Sequence, residues 1–378
     1  MRRLMMGAES ICEGGIAAGV RFYAGYPITP ATEVAEFMSA RLPQVGGTYV
    51  QMEDELGSFS ACLGASAAGV KAMTASAGPG IALQQNEIGQ AIAGEIPCVL
   101  VNVGRHGPGI GNATGSAQME VMQAKYGPNG DCPMIALSPS TVEEGFWLTL
   151  KCVELAERFR TVTILLTEGL LALQRAVVDL PEDYSKLEVH ARPRPANGDY
   201  ENPYMATSIT AVPPMVDFGQ GPRSIYRTGG IQPQHGQVQT RFEAQDFSTR
   251  RLNLKVESAR DELILVDKHQ VEDAEVLYIS FGTQIHPALE AMRIARERGV
   301  KAGCLRLVTL WPFPDDVVRE VAANCRAVVV PEMNLGQVRG LVTQALAGSG
   351  IRIAGVNHVN SLTITPEEIL ATTQEVLA

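Results

Sequence analysis

Four stretches of this sequence set polar, potentially reactive side chains directly after apolar runs: residues 26–29, 52–55 and 74–80, and the glycine-rich span that begins at Arg105 and reaches Gln118. In an open parallel sheet such positions fall at the carboxyl ends of strands, the edge where ligands bind. Thr29 is placed as a helix N-cap and Pro30 at the first helical position, with Val34, Phe37, Met38 and Leu42 continuing at helical spacing. A helix start of this kind offers unsatisfied N–H groups and a partial positive charge. A small carboxylate or phosphate could bind there, with the Thr29 hydroxyl as an extra donor, although the same residues also make an ordinary capped helix. Arg105 follows an apolar strand and suits a bidentate pair with a carboxylate, a surface ion pair being the plainer alternative. The acidic run Glu53, Asp54, Glu55 opens a helix, where it complements the dipole and leaves one carboxylate available for further chemistry. The stretch 104–115 is rich in glycine but lacks the GxGxxG that opens a helix in dinucleotide-binding folds.

The elements that must position these residues alternate. Helices are expected over residues 9–19, 53–68, 81–95 and 142–159, with strands at 20–23, 48–51, 70–75, 97–103, 134–137 and 161–167. The continuous apolar character of residues 97–103 is that of a buried parallel strand. This beat predicts a doubly wound α/β domain over residues 1–180. Between 181 and 265 the texture changes to a long, irregular, Pro- and Gly-rich connection whose aromatic residues (Tyr200, Tyr204, Phe218, Tyr226, Phe242) argue for packing and against a free linker. Strands at 274–281, 302–307, 327–330 and 353–356 with intervening helices predict a second, smaller α/β domain over 266–378.

Composition narrows the class. The 378 residues suffice for two or three cores, and a formal net charge of −10 argues against nucleic acid or an anionic membrane surface as the main partner. Seven scattered cysteines without a CxxC pair read as free thiols in a reducing compartment, and neither they nor the six histidines show metal-ligand spacing. No signal peptide or membrane-spanning run is visible, so a cytoplasmic location is expected.

Taken in order, Gly25-Tyr-Pro-Ile-Thr-Pro30 with Glu33, Gln51-Met-Glu-Asp-Glu55, Thr74-Ala-Ser-Ala-Gly-Pro-Gly80, Gly94-Glu-Ile-Pro97, Gln118 with Val121-Met-Gln-Ala124, Leu137-Ser-Pro-Ser140 and Pro331-Glu-Met-Asn-Leu-Gly-Gln337 span essentially the whole chain. Together they resemble the α subunit, or equivalent domains, of thiamine-diphosphate-dependent 2-oxoacid:ferredoxin oxidoreductases, the 2-oxoglutarate type above all. The resemblance implies a pyrimidine-type thiamine-diphosphate-binding domain followed by a transketolase-C-like domain. It implies oxidative decarboxylation of a 2-oxoacid to acyl-CoA and CO2, with coenzyme A as cosubstrate and ferredoxin or a similar acceptor taking the electrons. A separate β subunit would grip the diphosphate through magnesium and carry the iron–sulfur chemistry, giving a heterodimer-based oligomer. By the same resemblance Tyr26, Pro27, Glu55 and Gly78 face the cofactor, Glu55 being the catalytic carboxylate on the aminopyrimidine nitrogen, while Thr29 and Arg105 hold the substrate carboxylate. No metal ligand is expected in this chain.

Departures from the pattern bear on the substrate. The turn after Arg105 reads Gly107-Pro-Gly-Ile-Gly111 where the family pattern carries two hydroxyls; if this turn lines the side-chain pocket, Ile110 is expected to let a branched or aromatic 2-oxoacid compete with 2-oxoglutarate. Glu120 stands where an aspartate is usual, and residues 228–236 diverge from a histidine-acidic pattern. The rival readings are another thiamine-diphosphate enzyme, which would need a diphosphate motif that this chain lacks, a non-catalytic assembly or regulatory subunit, and, more distantly, a nicotinamide dehydrogenase, whose fingerprint glycines are missing.

Overall fold

The computed structural model of the chain describes residues 2–195, 206–220 and 240–378. Apolar runs after small turns build one large sheet in the order Thr309–Trp311, Ile135–Leu137, Val162–Glu168, Cys98–His106, Ala72–Ser76, Phe22–Gly25, Thr48–Gln51, and Asn112–Ser116 pairs with the far end of Cys98–His106. All neighbours are parallel except the two outliers, Thr309–Trp311 and Asn112–Ser116. The chain runs outward from Phe22–Gly25 to the Thr48–Gln51 edge, then returns to Ala72–Ser76 on the other side. The topology therefore reverses between Phe22–Gly25 and Ala72–Ser76, and the crevice at their carboxyl ends is the place where such sheets take ligands.

One face of the sheet is covered by Gly7–Ala17, Thr32–Arg41 and Val142–Phe159, whose Ile11, Val34 and Phe146 are fully buried. On the other face Phe59 and Ile88 join a core that continues without a break into Leu305, Leu307 and Val328 of a second sheet. That sheet has the order Val266–His269, Ala302–Leu307, Val276–Ser280, Ala327–Glu332, Arg352–Asn357 and is parallel except for its first strand. The two α/β units are thus joined through hydrophobic core and through a strand: Thr309–Trp311 leaves the second unit to close the edge of the first. Gln118 reinforces the junction. Its Nε2 donates to Glu168 Oε1 at 2.9 Å and to the Phe281 carbonyl at 3.0 Å, and its Oε1 accepts the Met333 N–H at 3.0 Å.

Several local expectations need correction. The helix expected over 81–95 is two helices, Pro79–Leu83 and Gln85–Ala93. Arg2–Met6 forms an unexpected strand against Arg175–Asp179. The end of the connection is a helix, Phe242–Glu257, and not irregular chain. Of the aromatics expected to pack that connection, Phe242 is 84% exposed and Phe218 is 46% exposed, while Tyr200, Tyr204 and Tyr226 lie outside the described residues. Buried Met215, Val216, Leu252 and Val256 do the packing. Two buried ion clusters fasten it: Arg192 on Glu157 at 2.6 Å, and Arg251 with Lys255 on Glu95 at 2.6 and 2.8 Å. The divergent stretch 228–236 also lies outside the described residues.

Candidate functional site

All four strand-end loops contribute to the crevice. The strand carrying Arg105 extends through His106, which brings the guanidinium under the loop after Phe22–Gly25. Arg105 is only 4% exposed, and it spends two donors on main-chain carbonyls: Nη1 to Thr29 at 2.7 Å and Nη2 to Ile110 at 3.0 Å. Its Nε–H is buried with no partner. The plainer alternative, a surface ion pair, is not seen among the described residues: Arg105 is a buried cation with donors to spare.

Thr29 is not an N-cap. The helix begins at Thr32 with Ala31 as its cap, and the Ala31 N–H first closes a turn onto the Ile28 carbonyl at 2.7 Å. The chain spends one more turn before entering the helix, leaving the Thr29 side chain exposed and its carbonyl on Arg105. Tyr26, at 41% exposure, and Pro27 stand exposed on the same loop. Ile110 caps the turn 107–111, in which Gly109 and Gly111 have φ of 63° and 56°. Its carbonyl faces Arg105 while its side chain is 79% exposed.

The loop after Ala72–Ser76 links this cationic group to an acidic one. Gly78 has φ +44°, and a methyl group there would sit 3.1 Å from Arg105 Nε. Two residues on, a methyl group at Gly80 would overlap Ser76 Oγ and sit 2.5 Å from Glu55 Oε1. Only glycine leaves both approaches open. Glu55 is 6% exposed and is the first residue of the helix Glu55–Ala67, which starts two residues later than expected; Asp54 caps it through the Gly57 N–H at 2.7 Å. The structure therefore brings Thr29, Gly78, Arg105 and Ile110 together, with Glu55 across the same loop and Tyr26 and Pro27 exposed on the strand-end loop that carries Thr29.

Sequence reasoning passed over Ser76, Gln84 and Asn102, all fully buried near this loop. Asn102 carried a visible signal, as a lone amide inside the otherwise apolar run 97–103. Glu120 gains a position as well: its Oε1 accepts the Arg105 N–H at 3.5 Å while Oε2 is buried without a partner. Burial pushes the Glu120 carboxyl up to about 7, against the hydrogen bond from Arg105. In an unfolded chain a glutamate titrates near 4.3. The stabilisation that goes with the raised value is complete below that point and is lost as pH rises to about 7, because the folded state then gives up a proton that it had retained. Glu120→Gln, which stays neutral, should gain about 3 kcal/mol over wild type between pH 4 and pH 8, read by denaturation of the free chain at both pH values. A difference independent of pH would mean that folding leaves the Glu120 carboxyl unshifted.

A separate cleft of about 670 Å³, lined by Leu170, Thr283, His286 and Ile364 among others, lies between the two units and holds none of the predicted residues. No helix among the described residues is long and apolar enough to cross a membrane.

Comparison with known proteins agrees with the geometry. Residues 13–239 match the family described as pyruvate flavodoxin/ferredoxin oxidoreductase, thiamine diphosphate-binding, and residues 274–369 match pyruvate:ferredoxin oxidoreductase core domain II. The 2-oxoglutarate synthase subunit KorA of Methanocaldococcus jannaschii is 39% identical over 88% of this chain and 89% of its own length. The ketoisovalerate oxidoreductase subunit VorB of Methanothermobacter thermautotrophicus is 32% identical over 99% of this chain and 97% of its own. The structure of 2-oxoglutarate:ferredoxin oxidoreductase from Magnetococcus marinus, with 2-oxoglutarate, coenzyme A and succinyl-CoA bound, superposes with a TM-score of 0.93 at 31% identity. It covers all of this chain, which spans 65% of that structure's chain. The chain belongs to the pyruvate flavodoxin/ferredoxin oxidoreductase family, with its thiamine-diphosphate-binding domain followed by its core domain II.

Proposed function

We propose that this chain is the α subunit of a 2-oxoacid:ferredoxin oxidoreductase, which with a β subunit converts a 2-oxoacid, coenzyme A and an oxidised acceptor to acyl-CoA, CO2 and reduced acceptor. The observation that carries this reading is Arg105, a buried guanidinium with an unpaired Nε–H and no carboxylate of its own, set at the reversal point of the sheet. Of five N–H donors two are committed to carbonyls, so a planar carboxylate can be gripped by the others, with the exposed Thr29 hydroxyl beside it.

The residues present also fit thiamine diphosphate. A buried carboxylate at the crevice, Glu55, complements the ring nitrogen of an aminopyrimidine, and Gly78 and Gly80 let Arg105 and Glu55 come close to the same loop. When bound, the cofactor supplies the electron sink for decarboxylation. Glu55 holds or returns a proton at the ring nitrogen, Arg105 and Thr29 orient the substrate carboxylate, and Tyr26 and Pro27 meet the cofactor where the partner closes over them. Magnesium and iron–sulfur clusters belong to that partner, ferredoxin or a similar protein takes the electrons, and the seven free cysteines suit a cytoplasmic location.

The substrate class follows from the turn 107–111. Ile110 and the absence of hydroxyls there favour a 2-oxoacid with a branched or aromatic side chain beside 2-oxoglutarate, and relatives with both kinds of name match this chain. Dye reduction by the chain co-purified with its partner, over a panel of 2-oxoacids, is expected to require both thiamine diphosphate and coenzyme A. Ile110→Thr should then shift the ranking toward 2-oxoglutarate, and an unchanged ranking would remove Ile110 from specificity. An intact, cofactor-loaded complex that turns over no 2-oxoacid would sink the reading in favour of an assembly subunit.

A further inference from the structure

Near Glu55 lie four buried polar atoms that the protein does not satisfy. Ser76, Gln84 and Asn102 are each fully buried. Ser76 Oγ, Gln84 Oε1 and both amide atoms of Asn102 have no hydrogen-bond partner, although the surrounding Phe59, Ile81, Ile88 and Leu100 form dry core. These groups sit together. Ser76 and Asn102 are paired across adjacent parallel strands, which puts their side chains on one face. Gln84 Nε2 donates to the Glu55 carbonyl at 3.2 Å. Ser76 Oγ and Glu55 Oε1 both crowd the same point above Gly80, so they are no farther apart than the sum of two short contacts.

Buried polar groups in folded proteins are paired with protein or with ordered water, and an internal water needs two to four such partners. The orphaned atoms supply that set: one rotatable hydroxyl, two acceptor oxygens and one amide donor. We propose that Ser76, Gln84 and Asn102 enclose at least one structural water that hydrates the inner side of the Glu55 carboxyl and acts as its positioning device. The inference rests on the role given to Glu55 above.

The chemistry of the partners favours this arrangement over fixed donors. Main-chain N–H groups aimed at a carboxylate would hold it ionised and resist a proton. A hydroxyl and a water can donate when Glu55 is ionised and turn to accept when it carries the proton. The proton stays between Glu55 and its ligand, and the network changes only the direction of its hydrogen bonds. Asn102 anchors the water by donating through Nδ2 and accepting through Oδ1. Ser76, Gln84 and Asn102 are thus positioning residues, and none of them needs to touch the substrate.

The test uses the complete complex of this chain with its partner, in wild type, Asn102→Leu, Asn102→Thr and Ser76→Ala. A crystal structure at a resolution that resolves waters should show one bonded to Ser76 Oγ and the Asn102 amide in wild type and none in Asn102→Leu. Melting of Asn102→Leu should fall below wild type, because the water leaves with the amide and Ser76 Oγ and Gln84 Oε1 stay buried without it. Exchange of the thiamine C2 proton, followed against pH by NMR, should behave differently: removing hydration beside a carboxyl makes it keep its proton to higher pH. The acid limb in Asn102→Leu should move up by about one pH unit, a fall of about tenfold at a pH on that limb. Asn102→Thr should restore most of it, and Ser76→Ala should shift the limb the same way if Asn102→Leu does not fold. A dry pocket in wild type, or an unchanged profile in folded Asn102→Leu and Ser76→Ala, overturns the inference. Failure of the wild-type complex to accelerate C2 exchange at all overturns the role of Glu55 and this inference together.

Discussion

Glu55→Gln lowers turnover of 2-oxoacid by the assembled complex by about a thousandfold, the range expected when a positioned proton-transfer group is removed. Glutamine keeps the volume, so the helix Glu55–Ala67 should retain its Asp54 cap and its packing through Phe59 and Cys62. What is lost is the ability to hold a proton. The amide cannot take one up and release it at the ring nitrogen, whereas Arg105 and Thr29 still have their full set of donors for the substrate. The effect should therefore fall on kcat, with KM for the 2-oxoacid changed by no more than a few-fold. Stopped-flow dye reduction with saturating thiamine diphosphate reads both quantities. Near-normal turnover in a cofactor-loaded Glu55→Gln complex would mean that the proton is handled elsewhere, and the non-catalytic subunit reading would regain ground.

Much of this site was legible in the sequence because buried parallel strands read as apolar runs, and the first polar residues after them fall at the edge that binds ligands. Arg105 and the acidic run 53–55 stand out that way, whereas the roles expected of Glu55 and Gly78 rest on the family resemblance. What failed were inferences from local signals overruled by distant contacts. Thr29-Pro30 has the composition of a helix start, yet the Thr29 carbonyl is held by Arg105 from 76 positions away and the helix waits until Thr32. The helix Phe242–Glu257 was missed for a related reason. Its buried face is Ser248, Arg251, Leu252, Lys255 and Val256, a regular helical stripe in which two of the five residues carry charge. Apolar periodicity cannot register such a face, because its partner is a buried glutamate far away in sequence. Ser76, Gln84 and Asn102 were invisible as a group, since only the strand pairing brings the first and last together.

That buried glutamate sets the second large expectation: Glu95→Ala destabilises the free chain by about 3–5 kcal/mol. Glu95 is fully buried and takes a bidentate bond from Arg251 at 3.0 and 2.6 Å and a third from Lys255 at 2.8 Å. Burial works against its ionisation, yet Lys255, Arg251 and Arg160 hold it well below the usual carboxylate range. The same burial pushes the Lys255 amine down to about 8 even with Glu95 supporting its charge. Removing the carboxylate strands two cations in the core, and the loss is that of an uncompensated buried charge rather than of an ion pair. Replacing Glu95, Arg251 and Lys255 together by apolar residues of similar size should recover most of it, which separates the two costs. Urea denaturation of the single and triple variants measures both, and a loss below about 1 kcal/mol in Glu95→Ala would show that the cluster is already hydrated. Glu95 precedes the first residue of Cys98–His106 and Arg160 precedes Val162–Glu168, so the cluster lies at the end of the sheet opposite the crevice. Folded Glu95→Ala should therefore keep the wild-type KM. The described residues of the connection are fastened at the amino ends of the strands, away from the proposed site at their carboxyl ends.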